Sequence, residues 1–272
     1  MRQFFFFLFL IVAIVPAVTR AQQDTTQAPN KASADDPSQF ITRAEFFNDL
    51  QYHRNDNNTF YLNQTIFRMV AKIGKRFTVR LDVPYVYNSF SSPAEYEQSG
   101  IGDISFRVLG YQFFQSYKTA VTGSLECSLN TGQSPLLGLG KNLIIPMITY
   151  TTKLPKQKML LAVVLQQVNS VSGDELRQEV SFTKVQAIML NYWSQKVWTV
   201  LAPEWYFDYT HDDVSMNLQG RLAYAPVKRI NLWIQPGVGV FGDFAARYEW
   251  KIEIGSRYFF LRDTFFKRKK SG

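Results

Sequence analysis

The chain has 272 residues, a formal net charge of +8, 46% hydrophobic residues and a single cysteine, Cys127. That length serves one large domain or two small ones, and one cysteine excludes an internal disulfide framework. The basicity is local: without residues 1–21 and the segment after Phe260, 23 basic and 21 acidic residues remain, which argues against a nucleic-acid surface.

The N-terminus begins Met1-Arg2, continues with an apolar run from Phe4 to Val18 and ends at Thr19-Arg20-Ala21. This order reads as a secretory signal peptide over residues 1–21. Residues 22–40 are polar and contain Pro29 and Pro37. They are expected to form a flexible periplasmic leader, with a short plug folded into a cavity as the alternative. No later stretch offers about 18 uninterrupted apolar residues, which excludes a helical membrane protein.

From Ile41 the pattern changes to period two. Twelve segments follow: 41–53, 59–72, 76–88, 101–113, 118–130, 142–153, 158–170, 179–192, 196–210, 214–226, 229–241 and 246–260. Each is long enough to cross a bilayer when tilted. In the third, Phe77, Val79, Leu81, Val83, Tyr85 and Tyr87 oppose Thr78, Arg80, Asp82 and Asn88. The second, seventh and eighth segments alternate less cleanly. The predicted fold is all-β, a transmembrane antiparallel barrel of about twelve strands over residues 41–260, followed by a basic periplasmic tail, 261–272.

The connections alternate as well. Tight turns fall at Gly74–Arg76, Gln115–Lys118, Pro155–Lys158, Ser194–Lys196 and Val227–Arg229, and longer Gly-, Ser- and Pro-rich loops at 89–100, 131–141 and 171–178. Short turns at one end and long loops at the other describe a barrel of the bacterial outer membrane, with both termini in the periplasm. The tight turns carry Lys and Arg without acids, and the opposite loops are mainly acidic.

The apolar faces are rich in aromatic residues near strand ends, including Tyr85, Tyr87, Trp205, Phe207, Tyr258 and Phe260. A membrane interface requires such girdles, whereas a soluble sandwich buries mainly Val, Leu and Ile. The opposite faces supply lumen-lining candidates: Arg80, Asp82, Asp103, Arg107, Glu126, Glu204, Asp208, Arg221, Arg247, Glu249, Lys251, Glu253 and Arg257. Mixed signs on adjacent strands predict cross-strand ion pairs. His53 and His211 are the only histidines and no serine accompanies either in a catalytic context. Catalytic residues, metal and cofactor are therefore not expected.

Four stretches carry two resemblances. In the last segment Glu253, Gly255, Tyr258 and Phe260 have the spacing of the C-terminal signal read by the barrel-assembly machinery, although twelve residues follow. "RLDVPYVY" (Arg80–Tyr87), "SGIGDISFRVLGYQF" (Ser99–Phe113) and "LNTGQSPLLGLG" (Leu129–Gly140) occur in an order that resembles the outer-membrane barrels of the MetA-pathway-of-phenol-degradation family. Asn130-Thr131-Gly132 stands where that family usually has Pro-Thr-Gly. The resemblance implies a barrel that takes up hydrophobic or aromatic compounds. Within the residues themselves, Gly100 and Gly102 suit a tight start to a strand, with Asp103 opening the lumen face. Two functions stay open: a passive channel for small solutes, hydrophobic or aromatic ones included, and a non-transporting structural, adhesive or assembly barrel. The expected partners are outer-membrane lipid, the assembly machinery and a small-molecule solute.

Overall fold

A computed structural model describes residues 35–55, 58–91, 96–134, 136–243 and 247–260. The expected signal peptide, most of the leader and the basic tail lie outside the described residues.

Thirteen strands form one antiparallel sheet: β1 (Arg43–Asn55), β2 (Asn58–Ile73), β3 (Phe77–Phe90), β4 (Tyr96–Ile101), β5 (Ser105–Gln115), β6 (Thr119–Ser128), β7 (Lys141–Leu154), β8 (Met159–Gly173), β9 (Ser181–Tyr192), β10 (Val197–Asp208), β11 (Asp213–Val227), β12 (Ile230–Phe241) and β13 (Trp250–Phe259). They occupy twelve places, because β4 and β5 both pair with β3 and share the fourth. Pairing of β1 with β13 and of β2 with β3 closes the sheet, and the one-sided strand is β4, which pairs with β3 alone at the loop end. The expected twelve-strand barrel is the observed fold.

Strand boundaries fall within a few residues of the period-two segments. The largest departures are instructive. The fourth segment begins earlier, at Tyr96, and breaks at Gly102–Ile104, where Asp103 leaves the ladder to hold a loop. The last begins later, at Trp250.

The outer surface is apolar. Phe46, Phe67, Leu81, Val163, Leu222 and Ile254 are all exposed. In water this would be an aggregating surface; in a bilayer it is the required contact with acyl chains. Phe77, Tyr117, Trp193 and Tyr258 lie exposed toward the turn end, and Tyr96, Phe207, Tyr209 and Trp250 toward the loop end. These two groups form the interfacial girdles.

The inner face is not uniformly polar. Near the turn end, Phe47, Leu160, Leu190, Trp198, Ala223 and Trp233 form a buried apolar cluster, with Ile66 and Ile188 packed against it. This explains the blurred second, seventh and eighth segments: β2, β8 and β9 carry apolar residues on both faces because part of the interior is itself a dry core.

Candidate functional site: the barrel interior

Away from that apolar floor the interior holds paired charges. Arg68 and Asp82 face each other in register on β2 and β3, and the guanidinium grips the carboxylate with both arms, at 2.9 and 2.8 Å. Such a bidentate pair fixes geometry as well as charge. On β3 and β5, Arg80 lies directly opposite Arg107. Both reach one oxygen of Glu126 on β6, at 2.5 and 3.3 Å. Across the closing seam, Arg257 on β13 pairs with Glu45 on β1 at 2.9 Å, and Lys251 with Asp49 at 3.0 Å. Glu253 accepts from Arg221 at 2.9 Å and from the Trp233 indole at 2.7 Å. Glu204 is held by Lys184 at 2.6 Å and by Gln186, Gln219 and Tyr206.

Of the sequence-derived candidates, Arg80, Asp82, Arg107, Glu126, Glu204, Arg221, Lys251, Glu253 and Arg257 thus meet in interior networks. Asp208 is buried at the loop end of β10, bonded to the Thr210 amide and the His211 ring. Arg247 and Glu249 pair with each other just before β13, and Glu249 is partly exposed. Asp103 stands apart from these networks. Its carboxylate accepts the amide hydrogens of Thr131 and Gly132 at 3.2 and 2.9 Å and of Leu139 at 2.7 Å.

Those contacts fold the loop between β6 and β7 over the barrel mouth. Leu137 is buried, and the Asn88 side chain donates to the Leu136 carbonyl. A Cβ at Gly138 would run into the Asp103 carboxylate, and one at Gly102 would lie 2.6 Å from Val86 and 2.9 Å from the Leu137 carbonyl. The Gly-x-Gly-Asp and Thr-Gly stretches singled out in the sequence therefore meet in space, as the two halves of one loop clamp.

Sequence reasoning passed over Arg43, Glu45 and Asp49 in β1, although they alternate with Ala44, Phe46 and Leu50 and were legible by period. It also passed over Arg68 and Lys184, which lie on the two blurred strands β2 and β9.

The N-terminal side supplies a further part. Residues 35–40 lie inside the turn half of the barrel. The Asp35 carboxylate accepts hydrogen bonds of 2.6 Å from the Trp198 indole and from Arg221, and lies 3.4 Å from Arg257. Asp36 pairs with Lys153 at 3.1 Å, and the Ser38 carbonyl accepts from Gln112 at 3.2 Å. One short segment thereby links β10, β11 and β13 to β5 and β7 across the lumen. Burial would raise the Asp35 carboxyl, but Arg221, Arg257 and the Trp198 bond outweigh it and hold that group below its ordinary value.

Beside this segment lies a cavity of about 420 Å³. Its basic lining is Arg43, Arg68, Arg80, Arg107, Lys184 and Arg257, and its acidic lining is Asp35, Asp36 and Glu45. No group of three or more His, Cys, Asp or Glu that could hold a metal occurs among the described residues.

Closure of the sheet, an apolar outer belt between two aromatic girdles and a charged interior decide the class. The chain is an outer-membrane β-barrel. Solved structures share this fold. An outer membrane channel from Pseudomonas putida F1 superposes with a TM-score of 0.67 at 12% identity, covering 87% of this chain and 100% of that one. The KdgM porin, solved in complex with disordered oligogalacturonate, gives 0.55 at 10% identity over 80% of this chain and 99% of that one. The translocator domain of autotransporter NalP from Neisseria meningitidis gives 0.50 at 9% identity over 81% and 87%. No family model and no curated protein matches the sequence. At these identities the likeness is one of fold, and it spans both channels and translocators.

Proposed function

We propose that the barrel is a passive channel for small solutes. The observation that carries this reading is the uneven filling of the interior. Part of the turn end is sealed by Phe47, Leu160, Leu190, Trp198 and Trp233, whereas a cavity of about 420 Å³, lined from β1–β3, β5–β9 and β13, stays open with charged walls. Paired charges brace a wall as well as line a path, so the open space between them is what separates the two readings. Charged walls around open space are what a selective aqueous path requires. The segment over residues 35–40 narrows that path from the turn end and the clamped loop narrows it from the other.

The resemblance of three sequence stretches to the MetA-pathway-of-phenol-degradation barrels supports small aromatic compounds as solutes. The alternative is a non-transporting barrel, favoured by the apolar floor and the crossing segment. Solute flux into liposomes containing the purified barrel separates the two. The channel reading expects uptake of small solutes, and a shift toward cation selectivity when Arg107, Arg221 or Arg257 is replaced by Glu. Liposomes as tight with the protein as without it would establish the non-transporting reading.

We further propose that Glu253, Gly255, Tyr258 and Phe260 act as the assembly signal. Two of these positions also serve the folded barrel: Glu253 anchors Arg221, Trp233 and Lys251, and a Cβ at Gly255 would collide with the Trp233 ring.

A further inference from the structure

The wall formed by β2, β3, β5 and β6 carries more positive charge than its own carboxylates neutralise. Arg68 takes both oxygens of Asp82. Arg80 holds Glu126 at 2.5 Å and lies 3.3 Å from Asp82. Arg107 is left with the Glu126 oxygen that Arg80 already occupies, at 3.3 Å, and its Nε is buried without a hydrogen-bond partner. Glu45 reaches this wall only at Arg68, 3.7 Å from its Oε2, while its Oε1 is held by Arg43 at 2.5 Å and Arg257 at 2.9 Å, so it adds nothing at Arg107. Arg80 and Arg107 are moreover directly opposite each other in the ladder. Like charges in that relation repel, and a sequence keeps them only where something else compensates. Both line the cavity, together with Thr122 and Ser124 on the neighbouring strand, whereas Glu126 is not part of the lining.

We propose that this corner of the cavity is a binding site for a small oxyanion, a carboxylate or phosphate group, held between Arg80 and Arg107. Guanidinium groups offer such an anion paired N–H donors in the geometry it prefers. Thr122 and Ser124 add hydroxyls within the same lining. The bound anion supplies the negative charge that Glu126 alone divides between two arginines. Glu126 thus has a double role: it keeps the arginines tolerable in the unliganded barrel and competes with the ligand for them.

The site is a matter of equilibrium binding and stands or falls separately from solute flux. The test is calorimetric titration of the folded full-length barrel, in a nonionic detergent at low salt, with inorganic phosphate and separately with acetate. Saturable binding of either is expected. Phosphate alone identifies a phosphate site, acetate alone a carboxylate site, and both a general oxyanion site. Arg107→Gln should weaken binding about tenfold, the loss expected for a charge-assisted contact. Arg107→Lys should weaken it less, since the charge stays and the fork is lost. Glu126→Gln should tighten binding several-fold, a gain that misfolding cannot produce. Heat-modified migration on gels checks that each variant is folded. The proposal is overturned if the native barrel binds neither anion up to about 50 mM, well beyond a millimolar site. It is equally overturned if Arg107→Gln binds as the native chain does, or if Glu126→Gln leaves binding unchanged or weaker.

Discussion

Asp35 and Arg221 are 186 residues apart in the chain, and Oδ1 of one accepts a 2.6 Å hydrogen bond from Nη1 of the other. The contact ties a segment with no ladder partner to the far wall of the barrel. Because the same carboxylate meets Trp198 and Arg257, it is the main polar attachment of residues 35–40 to the β10–β13 side.

Removing that attachment should free the segment. Ser38 is buried and bonded to Asp36. In a chain with Cys127→Ser, the reporter Ser38→Cys should react slowly with an aqueous thiol reagent. Adding Asp35→Asn should speed that reaction at least tenfold, since a buried charge pair with one member removed costs about 3–5 kcal/mol. Equal rates would show that Asp35 does not hold the segment.

The same attachment should depend on pH with a definite sign. The Asp35 carboxyl is held below its ordinary value in the folded barrel. Its contribution is therefore complete above the ordinary carboxylate range and is lost as pH falls through the lowered value, below about 4. Labelling of the Ser38→Cys reporter should accelerate only on that acid side. Acceleration on raising the pH instead would contradict the assignment.

The mouth loop should respond to Asp103 independently. Asp103→Ala removes the acceptor of three backbone amides, at a local cost of about 2–3 kcal/mol. Gly138→Ala should act in the same direction by displacing the carboxylate. Hydrogen exchange should show Thr131, Gly132 and Leu139 losing protection while the strands keep theirs. Unaltered protection would mean that the loop is held by Leu137 and Asn88 alone.

The two faces of β8 give a test of the membrane contact. Val163 points outward and is half exposed near the middle of the strand, whereas its neighbour Ala162 is buried inside. Val163→Arg should destabilise the barrel by about 2–4 kcal/mol in lipid vesicles, measured by urea unfolding, and Val163→Leu should be nearly neutral. A tolerated arginine would place this face away from acyl chains.

The end of the chain separates two assembly signals. Replacing Tyr258 and Phe260 with Ser should impair insertion, because the exposed girdle position at Tyr258 is lost together with the proposed signal. Deleting residues 261–272 should leave assembly nearly intact. If the deletion blocks assembly and the serine changes do not, Phe265-Phe266 is the signal.

The strands themselves were legible because a barrel wall has two solvents, and each strand samples them alternately. Period two with aromatic ends located all twelve places in the wall, and the short and long connections distinguished its ends. That local signal failed where the inner face turns apolar, as at Ile66 on β2 and Leu160 on β8, because an apolar interior and an apolar exterior look alike in one strand. Asp103 shows a second limit. Its place in the sequence marks a strand, but its partners, Thr131 and Leu139, lie some thirty residues on, in a loop whose path depends on Gly138 leaving room. The sequence by itself determined the closed, lipid-facing sheet, since that follows from alternation along each strand. Only the tertiary structure decided that Arg80 and Arg107 share one carboxylate and that Asp35 crosses the lumen. Such pairings depend on register between strands and on closure of the ring, which bring together charges that no spacing along the chain relates.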